Sequence, residues 1–330
     1  MNDSSQTQPM DGTPPARPPR KKRLVSCALT LFFVLGLIAA GVVYLQDRLT
    51  PEVDPDLTAP QISVAEDPEL AEVPAHSVTR QVTQKIIDEA EHPLIPLLKV
   101  AQAGFDYVDQ NVSDYTATIV SQVRTGDTLH EQKYMFCKLR HEVSDEGNPV
   151  PLSIYTCFLK PKSVAGQEAI WVRGQNDGKI IAHGSGLLNV KRLYLDRNGP
   201  IAMMGNRYSI DNLGMKGLVK KMIQKGRNDL SHGECIATVH RGVILDGHKC
   251  TVMEIKHPVK RDHFEFHIAK VYIDDERNLP IGYEGYLWPA KEGDEPPLLE
   301  KYYYTDIQLN VGLTDSDFDP GNEGYKFPKW

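Results

Sequence analysis

The chain has 330 residues, 41% hydrophobic and 25% charged. That is an ordinary globular balance, long enough for one large domain and additional segments. The formal net charge of −7 excludes a globally basic surface of the kind that attracts nucleic acid.

Residues 1–23 are polar and Pro-rich and end in Arg20, Lys21, Lys22 and Arg23. They cannot bury a core, so a disordered tail is expected. Residues 24–45 carry no charge. As a helix they would be about 33 Å long, enough to cross a bilayer. A cleaved signal peptide would have a shorter apolar region and a small-residue cleavage site, which "VVYLQDRLTPE" does not offer. Cys27 opens the apolar stretch instead of following it, so it does not read as a lipoprotein cleavage cysteine. The basic run before the span keeps the tail in the cytoplasm and places the rest outside. The expected location is the bacterial inner membrane, single-pass, with the C-terminal domain in the periplasm. Residues 46–77, rich in Pro, Asp and Glu, predict a solvated linker, and residues 78–330 the folded domain.

That domain opens with a helical pattern, broken at Pro93 and Pro96, in which Leu94, Leu97, Leu98, Ala101, Phe105 and Val108 share one face. From Tyr115 onward about eleven short runs rich in Val, Ile, Tyr, Phe and Thr alternate with turns such as "LDGH" and "DDERN". A helical insertion at about residues 211–225 interrupts them. So many sequential strands imply one large antiparallel sheet, which twist makes curl. The fold expected is mainly β with some helix (α+β). It is a curved antiparallel sheet forming an incomplete barrel with covering helices, preceded by one transmembrane helix.

The stretches "YMFCKLRHE", "FLKPKSVAGQEAIWVRGQNDGKIIAH" and "LNVGLTDSDFD" are similar to an envelope family, domain of unknown function 1571. The order of elements also resembles the LolA/LolB-like lipoprotein carriers. Asp274, Leu279, Pro280, Tyr283 and Glu284, then Asn310, Leu313, Asp315 and Phe318, carry that likeness. The resemblance covers roughly residues 95–320. It implies the half-barrel fold and, from the carriers, binding of a lipid or a lipidated protein; the family itself has no established activity to transfer.

In "HFEFH", His263, Glu265 and His267 would share one face of a strand and Phe264 and Phe266 the other. Two His and a Glu could hold zinc. The alternative, a barrel wall with aromatics inward and polar residues toward water, is preferred. Phe158, Trp171, Phe264, Phe266, Tyr283 and Tyr302 are the candidate cavity residues. Cys235 and Cys250 lie in successive strands, as do Cys137 and Cys157. Two disulfides and four unpaired thiols are both open. No nucleophile is seen with a base, and the Gly-rich turns lack phosphate-binding spacing. No cofactor and no catalytic role are expected. The reading is an envelope protein attached to the inner membrane by its own helix, binding lipid or lipoprotein acyl chains. The alternatives are a protein-interaction module and a metal-binding protein using the "HFEFH" stretch.

Overall fold

A computed structural model describes residues 57–64, 92–144, 149–186 and 189–329. The uncharged span at 24–45 and the expected helical start at 78–91 lie outside the described residues. Among those described, no helix is long and apolar enough to cross a membrane.

Thirteen strands form one curved, open antiparallel sheet among the described residues. They are β1 (Ile62–Val64), β2 (Asp114–Thr125), β3 (Thr128–Leu129), β4 (Lys133–Arg140), β5 (Ser153–Lys160), β6 (Glu168–Val172) and β7 (Ile180–His183), followed by β8 (Leu193–Leu195), β9 (Ile236–Leu245), β10 (His248–Lys256), β11 (Ile268–Asp274), β12 (Leu279–Tyr286) and β13 (Leu298–Leu309). Helix α1 spans Leu94–Asn111 and α2 Met215–Asp229. The spatial order is β1-β9-β10-β11-β12-β13-β2-β4-β5-β6-β7-β8, with β3 paired to β2. Two meanders are therefore joined by the last long strand lying beside the first, Tyr304 opposite Ile119. The end strands β1 and β8 are three residues each, which limits edge-to-edge pairing.

Pro93 and Pro96 do not break α1. Pro93 is its N-cap and Pro96 sits in its first turn, where backbone N–H groups have no helical partner to lose. The insertion helix begins four residues later than the sequence suggests. Its N-cap, Gly214, has φ +95°, a conformation that favours glycine. The Met215 N–H donates to Tyr115 Oη at 3.0 Å, which fixes the start of α2 over β2. The two helices pack together at Gly226, where an added Cβ would lie 2.8 Å from Leu98 Cδ2.

Part of the expected linker belongs to the sheet. β1 pairs with β9 through Ser63 and Ile244, and the Leu57 carbonyl accepts from Lys160 Nζ at 2.6 Å. The strand adds backbone pairing at the sheet edge while its side chains stay exposed, so this part of the expected linker is ordered on the sheet without being buried.

The signature stretch near the C-terminus pins the chain where it leaves β13. Asn310 N–H donates to the Asp114 carbonyl at 2.7 Å, and its side chain accepts from Ser113 N–H at 2.8 Å and donates to the Asn111 carbonyl at 2.9 Å. Asp315 and Asp317 pair with Arg140 at 2.6 Å and Lys138 at 2.7 Å. Phe318 is buried with Tyr155, Ile170 and Val172. These residues hold the tail on the sheet, which gives the signature a structural origin.

The four cysteines outside the apolar span are unbridged. Cys250 faces Val243, whereas Cys235 precedes Ile236, which faces Lys256 at the other end of the β9–β10 hairpin. Seven to eight residues of strand, roughly 25 Å, separate them. Cys137 is opposite Thr156 and Cys157 opposite Phe136. Adjacent strand positions point to opposite faces, so these two thiols lie on different sides of the sheet. Burial pushes the Cys137 and Cys250 thiols up to about 12, which suppresses thiolate chemistry.

Candidate functional site: an apolar cavity between the helices and the sheet

The apolar stripe of α1 contributes Leu94, Leu97, Leu98 and Ala101 to a cavity of about 290 Å³, and α2 adds Val219, Met222, Lys225 and Gly226. The floor comes from three consecutive strands: Met253 and Ile255 of β10, Ala269, Val271 and Ile273 of β11, and Pro280 and Tyr283 of β12. Alternation accounts for the residues of β10 and β11, because every second residue of a strand faces one way. A bulge in β12, where Gly282 pairs with Tyr272 but Pro280 with Ile273, brings both Pro280 and Tyr283 to the same face. Register then aligns the rows: Met253 lies opposite Val271, and Val271 opposite Tyr283. Phe266 closes the wall just before β11. The lining is nearly all hydrocarbon, in the manner of small-molecule pockets.

Besides Tyr107 and Tyr283, two polar side chains, Lys225 and Asn278, interrupt it. Lys225 Nζ lies 2.8 Å from Glu265 and 3.6 Å from Glu300, and donates to Tyr208 Oη at 3.1 Å. Glu300 is fully buried and also receives Arg207 at 3.0 Å and the Tyr208 hydroxyl at 2.9 Å. Burial alone would lower the Lys225 pKa. The neighbouring Tyr283 and Glu300 outweigh it and hold the ammonium above its ordinary value. Burial would likewise raise Glu265, but the hydrogen bond from Lys225 holds its carboxyl below the usual range. The second polar group is Asn278, in the turn between β11 and β12. Its Oδ1 is buried without a hydrogen-bond partner.

Of the six aromatic residues picked from the sequence, the structure brings Phe266 and Tyr283 to the cavity. Trp171 is 1% exposed and faces Ile154 in the core, its Nε1–H donating to the Gly178 carbonyl at 3.1 Å. Phe158 sits under Lys133, and Phe264 stacks on His257 at 3.8 Å. Tyr302 is turned to Glu300 at 3.3 Å. Sequence reasoning missed Lys225 and Asn278. Lys225 falls on the apolar stripe of α2 six residues after Val219 and three after Met222, which was the available signal.

"HFEFH" is not a strand, since β11 begins only at Ile268. Its Phe264 and Phe266 are buried as expected. Its polar residues diverge: His263 stacks on His232 at 3.7 Å, Glu265 pairs with Lys225, and His267 bonds the His257 carbonyl through Nδ1 at 2.8 Å. Among the described residues no three His, Cys, Asp or Glu side chains converge as a metal-ligand set. The ligand triad fails because each of its members is already engaged elsewhere.

A second buried carboxylate lies on the adjacent strand position. Glu284 accepts from Tyr272 at 3.1 Å, from Tyr286 at 2.9 Å and from Tyr303. Its neighbours Glu300 and Gly285 face each other across β12 and β13, so Glu284 points to the opposite side of the sheet. It is a structural polar centre remote from the cavity.

No curated protein matches the chain. A DUF1329 family protein from Desulfovibrio piger is 14% identical, with a TM-score of 0.34, 69% of this chain and 98% of that chain being covered. A domain named for outer membrane lipoprotein sorting, from Vibrio parahaemolyticus, is 15% identical with a TM-score of 0.32, covering 67% and 95%. A LolA superfamily protein from Nitrosomonas europaea is 11% identical with a TM-score of 0.25, covering 66% and 97%. At these scores the likenesses carry no argument about function. The profile of a family described as a protein of unknown function, DUF1571, matches residues 112–327. That is about two thirds of the sequence, from the start of the sheet to the C-terminal tail, and the chain belongs to the DUF1571 family.

Proposed function

We propose that this is a non-catalytic envelope protein that binds the acyl chains of a lipid or lipidated protein in the cavity between α1, α2 and β10–β12. The observation that carries the reading is the lining itself, about 290 Å³ bounded almost wholly by aliphatic and aromatic side chains. Each buried methylene of a bound chain contributes about 0.8 kcal/mol, so affinity requires no specific polar contact. The uncharged span at 24–45 and its basic flank support attachment to the inner membrane with this domain in the periplasm.

The test uses the full chain in phospholipid vesicles with a photoactivatable long-chain alkyl probe. Labelled peptides should come from α1 and β11. Ala101→Trp fills the cavity and should reduce that labelling at least tenfold, with circular dichroism unchanged. Labelling spread over the whole surface, or unaffected by the substitution, sinks the reading. A protein-interaction module is the second reading. It is favoured by the exposed apolar side chains Val190, Tyr194, Ile201 and Met204, which lie within fifteen residues of one another.

A further inference from the structure

The chain enters the described domain beside an apolar tip. The described residues begin at Leu57, whose carbonyl accepts from Lys160 Nζ at 2.6 Å. Lys160 lies opposite Tyr134 of β4 and over its ring. The preceding residue, Lys133, donates from Nζ to the Gly205 carbonyl at 3.2 Å. The entry point and residues 199–205 therefore meet the sheet at consecutive positions of β4.

Residues 199–205 form a tight turn. The Met203 N–H donates to the Gly199 carbonyl and the Asn206 N–H to the Met203 carbonyl, both at 3.0 Å. Ala202 packs inward on the core that contains Trp171. Arg207 and Tyr208 fix the exit by bonding Glu300 at 3.0 and 2.9 Å. Although tied on both sides, the turn presents Ile201 at 65% and Met204 at 72% exposure, with Pro200 exposed beside them. An anchored turn that holds large apolar side chains in water marks a contact surface. No residue between Arg197 and Arg207 is acidic, so the tip itself carries nothing that repels lipid phosphate.

The tether decides what covers this tip. Residues 46–56 join the uncharged span at 24–45 to Leu57. Fully extended they reach about 40 Å, less than the roughly 45 Å width of a domain this size. With the span in a bilayer, the end of the domain that carries Leu57, and the tip with it, is the end kept near lipid.

We infer that Pro200, Ile201 and Met204 insert into the surface of the bilayer that holds the span, as a second membrane contact of this chain. Tyr208, just after the turn, accepts from Lys225 Nζ at 3.1 Å, so the docked tip lies next to the Lys225 end of the cavity. The inference rests on the membrane attachment proposed above and is independent of acyl binding.

The test places the full chain in vesicles of phosphatidylethanolamine and phosphatidylglycerol that contain a phospholipid with a photoactivatable group near its head. Trypsin cuts after Arg197 and Arg207, so the tip is read as one peptide, 198–207. That peptide should be labelled. Ile201→Asp and Met204→Asp should each lower its labelling at least fivefold. Tyr194→Asp should leave it unchanged. Tyr194 is also exposed, but it lies opposite Ile181, which packs with Phe318 and Phe327. Ile181 pairs with Ile170, the neighbour of Trp171, so this is the other face of the sheet. An unlabelled tip in a chain that stays with the vesicles through an alkaline wash overturns the inference and leaves the tip to a protein partner. Equal labelling in wild type and both aspartate variants also overturns it, because closeness through the tether would then suffice. Release of the chain by the wash overturns attachment and docking together. A labelled tip without cavity labelling by the alkyl probe sustains the docking and sinks the acyl-binding reading.

Discussion

Gly226 of α2 meets Leu98 of α1 so closely that a Cβ on the glycine would lie 2.8 Å from Leu98 Cδ2. Both residues line the cavity, so the helix crossing also sets the cavity's width. Gly226→Val should force the helices apart or push Leu98 into the open space. Overpacking of this kind costs about 1–3 kcal/mol. Urea unfolding should show a lower midpoint, and the alkyl probe should label less. Unchanged stability together with unchanged labelling would show that the helices are not in contact there.

Glu300 is fully buried between Arg207 and Lys225. Glu300→Ala leaves two cations facing each other with only the half-exposed Glu265 as a partner. Removing one member of a buried pair costs about 3–5 kcal/mol. Denaturant titration should register a loss of that order. The same substitution at the exposed Asp315 should cost well under 1 kcal/mol.

Trp171 separates core from cavity. It is buried against Ile154 and away from the apolar slot, so Trp171→Ala should destabilise by about 3–5 kcal/mol. In the folded fraction, probe labelling should be retained. Phe266→Ala should do the reverse in proportion, losing labelling more than stability. Equal loss of labelling in both variants would place Trp171 in the cavity wall.

His141 gives a pH signature. Burial lowers its pKa to about 4, against the hydrogen bond from Nδ1 to the Val112 carbonyl, which works the other way. The folded state therefore keeps it neutral while the unfolded chain protonates it near 6.5. Between those values the unfolded state binds more protons, so stability falls as pH falls. The contribution is fully present above about pH 6.5, and about 3 kcal/mol is lost by pH 4. His141→Asn keeps an N–H donor for the Val112 carbonyl and cannot titrate. Its stability should fall less steeply over this window. Parallel wild-type and variant curves of stability against pH would remove His141 as a source.

The sequence by itself determined the local pieces. Alternation in "AKVYID" and "GYEGY" specified strands, the spacing of Leu94, Leu97, Leu98 and Ala101 specified an amphipathic helix, and "LNVGLTDSDFD" marked the family. These signals are periodicities and short-range turn chemistry, carried by neighbouring residues. What faces the cavity was decided only by tertiary structure. Trp171 and Phe266 are equivalent in a hydrophobicity pattern. Pairing with Ile154 sends one into the core, and its place before β11 puts the other under α1. Glu265 reads in the sequence as a water-facing wall residue, with metal ligation as the alternative, and only folding places Lys225, forty residues earlier, against it. β13 reaches β2 across some 180 residues, and no local pattern encodes such a pairing. Burial and electrostatics depend on partners distant in the chain, so they exist only once the sheet has curled and the helices have docked on it.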